Sequence, residues 1–76
     1  MYLIHKSSVK NPDGVVDIEV LIVNKEIKKY TYHLSSEWAA RKFHHLYRKG
    51  KATHGKALAV LNKFKIKEEG GTLCQN

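Results

Sequence analysis

Val15-Val16-Asp17-Ile18-Glu19-Val20-Leu21-Ile22-Val23 decides the fold of this chain. Val16, Ile18, Val20 and Ile22 fall on one face at period two, while Asp17 and Glu19 fall on the other, the pattern of a strand with one side turned to a core. Asn24-Lys25-Glu26 then interrupts the run, and Ile27 to Leu34 alternates again, with Tyr30, Tyr32 and Leu34 on one side and Lys29, Thr31 and His33 on the other. Register follows because the two apolar faces must coincide. Pairing Val23 with Ile27 sets Val20 opposite Tyr30, Ile18 opposite Tyr32 and Asp17 opposite His33, and leaves Glu19 diagonal to Lys29.

Upstream, Asn11-Pro12-Asp13-Gly14 is a turn signal: Pro presets φ, Asp suits the next position and Gly accepts positive φ. A first strand is therefore expected within Tyr2 to Val9, although its apolar residues do not alternate past Ile4. Downstream, Ser35-Ser36-Glu37 opens a helix, with a Ser hydroxyl as cap and Glu37 complementing the helix dipole and pairing with Arg41 at i, i+4. Its inward stripe is Ala39, Phe43, Leu46 and Tyr47, and Gly50 stops it, so the helix is expected over Ser36 to Lys49. Thr53 is a candidate cap for a second helix, in which Ala57, Val60, Leu61 and Phe64 face inward, Leu58 lies at the margin and the end falls near Ile66. The expected architecture is α+β: a three-stranded antiparallel meander followed by two helices packed on one sheet face. It forms one domain over residues 1–68, with 69–76 as a flexible tail.

The chain has 76 residues, a net charge of +7 and 42% hydrophobic residues, enough for one modest core. No stretch has the apolar length of a signal peptide or a membrane span, and the single Cys74 can form no internal disulfide, which together suggest the cytoplasm. The charge is lopsided. Trp38 to Lys67 holds nine Lys or Arg residues, three histidines and no Asp or Glu. A field of this kind draws polyanions or acidic partners to one side of the molecule.

Catalytic chemistry is sparse. Asp17 and Glu19 read as a solvated, charge-paired strand face, Cys74 has no fixed base beside it, and the histidines show no metal-ligand spacing and read as facing solvent. His44 and His45 splay about 100° apart on a helix. No enzyme activity, cofactor or metal is expected. Gly50-Lys51-Ala52-Thr53-His54-Gly55-Lys56 lacks the phosphate-loop pattern, although Lys51, Thr53 and Lys56 would surround a helix N-terminus suited to an anion.

The candidate nucleic-acid-binding residues are Trp38, Arg41, Lys42, His45, Arg48, Lys49, Lys51 and Lys56. Trp38, Lys42, His45 and Lys49 follow one helix edge, so that an indole either stacks on an unpaired base beside a row of phosphate-binding cations or covers the sheet edge as core. Arg41, His44, His45 and Arg48 are expected to make the side turned from the core almost purely basic. Two function classes fit: an accessory protein that binds nucleic acid, or an interaction module that takes an acidic partner or self-associates through an apolar patch around Leu21, Val23 and Ile27. Anionic membrane surfaces are a lesser third class of partner.

Tyr30-Thr31-Tyr32, the helix after it, Lys51-Ala52-Thr53-His54-Gly55-Lys56 and Leu61-Asn62 together resemble the small KTSC-type domain. That family pairs a Tyr-x-Tyr strand end with a helix and a later Ser-x-Gly-Lys segment leading to Phe-Asn. The resemblance implies a compact strand-then-helix fold and transfers no catalytic residue.

Overall fold

The computed structural model describes residues 1–73. Four strands, β1 (Tyr2–Lys10), β2 (Val16–Val23), β3 (Ile27–Leu34) and β4 (Lys65–Leu73), form one antiparallel sheet in chain order. Between β3 and β4 the chain makes two helices, α1 (Glu37–Arg48) and α2 (His54–Phe64), joined through a 3-10 turn at Lys51–Thr53. The α+β class and the pair of helices after the meander hold. The three-strand sheet does not, because a fourth strand follows the helices.

The central hairpin has the register that alternation dictates: Val23 faces Ile27, Val20 faces Tyr30, Ile18 faces Tyr32 and Asp17 faces His33. Its charges also meet, with Lys29 Nζ 3.1 Å from Glu19 and His33 Nδ1 2.5 Å from Asp17. The Asn11-Pro12-Asp13-Gly14 turn closes β1 on β2 through the Gly14 N–H to the Asn11 carbonyl at 3.0 Å. β1 fails to alternate because its register shifts between His5 and Ser7. Past that irregularity Ser8 and Lys10, opposite Ile18 and Val16, lie on the helix side of the sheet.

Leu3, Val16, Ile18, Val20, Tyr32 and Leu34 from the sheet pack against Ala39, Ala40, Phe43, Ala57, Val60 and Leu61 from the helices. Ser36 caps α1 by accepting the Ala39 N–H at 3.2 Å, and Gly50, at φ +122°, ends it. Thr53 precedes α2 without capping it. Its hydroxyl turns back to donate to the Leu46 and Gly50 carbonyls at 2.5 and 3.0 Å, satisfying acceptors left over at the end of α1.

The stretch expected to be the end of the second helix and a tail is β4. α2 stops at Phe64, and Lys65 turns extended to pair beside Leu34, followed by Lys67 opposite His33, Glu69 opposite Thr31 and Gly70 opposite Tyr30. Residues 69–73 therefore belong to the sheet, while the tail expected at 74–76, with Cys74, lies outside the described residues. His33 ties the new strand in, with Nδ1 on Asp17 of β2 and Nε2 3.0 Å from Glu69 of β4.

These two carboxylates, Glu69 foremost, raise the pKa of His33 above its ordinary value. A group whose folded pKa is raised gives stability that is complete below its unfolded value, about 6.5, and that is lost as pH rises through the folded value. Amide exchange in β4 is accordingly expected to accelerate between pH 6 and mildly alkaline pH, and His33→Gln is expected to flatten that dependence. Equal slopes in the two proteins would refute the coupling. Asp17 has the opposite sign: hydrogen bonding, first from Asn11 and also from His33, lowers its pKa, so its contribution is present at neutral pH and fades in acid.

Candidate nucleic-acid interface

At 100° per residue, Trp38, Arg41, Lys42, His45, Arg48 and Lys49 fall within an arc of about 120° on α1, opposite the arc that holds Ala39, Phe43, Leu46 and Tyr47. All six are exposed, as are Lys51 in the 3-10 turn and Lys56 on α2. Trp38 is 57% exposed and is not part of the core. Its ring meets Phe64 edge-on at 5.3 Å, and Lys42 Nζ stands 5.2 Å from the indole centroid. Lys63 Nζ lies 5.5 Å from the Phe64 ring, so the start of α1 and the end of α2 share one cluster of two aromatics and two cations.

Sequence periodicity does not single out Lys63 and Phe64 for this surface. The antiparallel course of the two helices brings residue 64 beside residue 38, and that course depends on a connection whose geometry no periodicity encodes. At the other end of the pair stand Arg48, Lys49 and Lys51, with Lys51 Nζ 4.7 Å from the Tyr2 ring. Of the residues expected around an anion at the start of α2, Lys51 and Lys56 are exposed, while Thr53 spends its hydroxyl on two carbonyls of the preceding turn and helix.

Ion pairing divides the cations. Glu37 accepts from Lys10 at 3.0 Å and Arg41 at 3.1 Å, contacts that lower its pKa and leave Arg41 partly neutralised. Glu19 takes Lys29, Glu68 takes Lys65, and Glu69 takes Lys67 and His33. Among the described residues, Lys42, Arg48, Lys49, Lys51, Lys56 and Lys63 of the helical layer have no carboxylate partner.

The histidines depart from the solvent-facing expectation, with His45 alone exposed. His44 sits at the flank of the α1 arc, against β1, where its Nε2 lies 2.8 Å from Ser8 Oγ. Burial, and secondarily the neighbouring His5 and Arg48, lower its pKa, so it adds little charge to the basic side near neutral pH. His54 is buried, with Nδ1 accepting the Leu3 N–H at 2.9 Å and its ring stacked on Tyr47 at 4.9 Å. It pins β1 to the start of α2.

No described helix is long and apolar enough to cross a membrane. Comparison with protein-family models, with curated proteins and with solved structures gives no match, so the likeness to the KTSC-type domain rests on the quoted residues alone.

Proposed function

We propose that the protein is a small accessory protein, without enzymatic activity, that binds nucleic acid through the outward side of its helical pair. The observation that carries this reading is the segregation of charge. Four of the five paired carboxylates lie on the sheet, while among the described residues six Lys and Arg side chains of the helical layer lack carboxylate partners, and Lys42 stands beside an exposed indole. Uncompensated cations exchange their solvent counterions for phosphates, and an exposed indole offers a stacking surface to an unpaired base.

Titration of fluorescently labelled single- and double-stranded oligonucleotides at several salt concentrations tests it. Replacing Lys42, Arg48 and Lys49 together with Ala is expected to weaken binding at least about tenfold and to reduce the salt slope by about 3, near 0.9 for each phosphate no longer neutralised. Arg41→Ala is expected to matter less, because Glu37 already holds that guanidinium. Unchanged affinity in the triple variant would overturn the reading.

A second reading has its own observation. The sheet face turned from the helices is uncovered, and Ile4, opposite Leu21, joins Leu21, Val23 and Ile27 at one end of it. A protein partner on that apolar end, or a second copy of the chain, would change the mass measured by light scattering and would be insensitive to the triple helical variant.

A further inference from the structure

His5 and His44 lie on different elements, yet both place Nε2 2.8 Å from one atom, the Ser8 hydroxyl oxygen. Their ring centroids are 4.9 Å apart. A hydroxyl has a single proton, so it donates to one imidazole and accepts an N–H from the other, and one Nε2 presents its lone pair to the shared point. Replacing the bridging hydroxyl with a cation would let both lone pairs point inward.

We propose that His5 and His44 form a two-histidine site for a borderline first-row divalent ion, of the zinc type, bound close to the position of Ser8 Oγ with water completing its shell. The rings are held for this. His5 packs edge-on against Phe43 at 5.6 Å and Tyr47 at 5.8 Å, and its backbone N–H donates to the Tyr47 hydroxyl at 3.1 Å. His44 rests against Phe43 at 5.6 Å. Contraction from 2.8 Å to a nitrogen–zinc distance of 2.0–2.1 Å asks each ring to advance by about 0.7 Å, with Ser8 turning aside or staying as a weak third ligand.

The donor set selects the ion. Two imidazoles and a hydroxyl without a carboxylate favour zinc, nickel or copper over magnesium or calcium, which want several oxygens. Among the described residues no three His, Cys, Asp or Glu side chains are arranged to hold one ion, so the site holds two strong protein ligands and stays open. Arg48, one turn beyond His44, and the net charge of +7 oppose a divalent cation and weaken its binding. His33 offers no equivalent, because Asp17 and Glu69 sit at opposite nitrogens of its ring. An ion at the His5–His44 seam would staple the edge strand β1 to α1.

The test is a titration of the full chain, carrying Cys74→Ser to remove the competing thiol, with zinc chloride and separately with magnesium chloride, followed by histidine-ring and amide NMR. Zinc is expected to bind one to one, with the largest shifts at His5, Ser8 and His44, and magnesium to shift nothing. His5→Asn and His44→Asn are each expected to weaken zinc at least about tenfold, and His45→Asn and Ser8→Ala to change it by no more than about threefold. Shifts centred on His45, His33 or the Met1 amine, or full affinity in His5→Asn, would overturn the proposal. Because His44 touches the core, the amide spectrum of each variant establishes that it is folded before its affinity is compared.

Discussion

Replacing Phe43 with alanine is expected to destabilise the protein by about 3–5 kcal/mol, the range for removing a fully buried aromatic ring that its surroundings cannot refill. Phe43 is completely buried and stands where the two layers meet. It stacks nearly parallel on Tyr47 at 5.9 Å and lies edge-on to His5, so its loss leaves a cavity lined by rings whose own positions depend on it. A domain of 76 residues has roughly 4–11 kcal/mol in total, at about 0.05–0.15 kcal/mol per residue. The substitution therefore removes a large share. The melting temperature is expected to fall by on the order of 15–30 °C, because each kcal/mol moves a domain of this size by roughly 4–8 °C. Phe43→Leu, which keeps most of the volume, is expected to cost under about 1.5 kcal/mol. A fall of less than about 5 °C for the alanine variant would show that the helices and sheet can close over the gap.

Gly70→Ala is the second large effect, and it acts on one strand. Gly70 has φ +121°, and a Cβ placed there would lie 2.3 Å from the Lys29 carbonyl oxygen and 2.9 Å from Tyr30 Cα. Both obstacles are backbone of β3, so neither can swing away as a side chain would. The expected cost is about 2–4 kcal/mol, combining the unfavourable φ with the overlap. β4 is an edge strand, so the molecule escapes the strain most cheaply by releasing it. Amide exchange of β4 is expected to rise steeply while the β1–β2–β3 meander and the helices keep their protection. Gly71→Ala is a control at φ +88°, where the nearest atoms belong to the Tyr30 ring at 3.6 Å. It is expected to cost about 1 kcal/mol, from the backbone conformation alone. Equal exchange profiles in the two variants would contradict this account.

What the sequence discloses follows from where side chains carry the signal. In β2 and β3 a buried face alternates with a charged one, and the charges that pair across the strands mark the same register as the apolar residues do. Helix α1 is legible from Ser36 to Gly50 because its cap, its inward stripe and its stop are all side-chain or glycine signals. β4 has none of these. The positions that share the helix side with Leu34, Tyr32 and Tyr30 are Lys65, Glu68 and Gly70, and the apolar Ile66 is 61% exposed, so backbone pairing to β3 and ion pairs hold the strand without an apolar stripe. Gly70 and Gly71, which read as the start of a loose end, instead let the strand pass close to β3.

The candidate interface divides in the same way. The exposure of the basic residues on α1 follows from helical periodicity, because they lie opposite Phe43. The fate of His44 against His45 does not, since which neighbour falls at the β1 seam depends on how the helix is rolled on the sheet. Trp38 sits at a similar boundary, close enough to α2 to lean on Phe64 and far enough out to stay exposed. His5, opposite Val20, lies on the helix side ahead of the register shift in β1, and that shift brings Ser8 to the same side, between His5 and His44.

The late return of β4 sets an order of events during synthesis. β3 can join β2 as soon as Leu34 has left the ribosome, but its other edge has no partner until both helices and Lys65–Leu73 have also emerged. For that interval a nascent chain presents an unpaired row of N–H and C=O groups, the feature that recruits strands from other molecules. Lys28, Lys29 and His33 lie along this strand, and charged side chains on an open edge discourage such pairing. Lys29 and His33, which hold ion pairs in the finished sheet, thus also serve before β4 arrives as guards against aggregation.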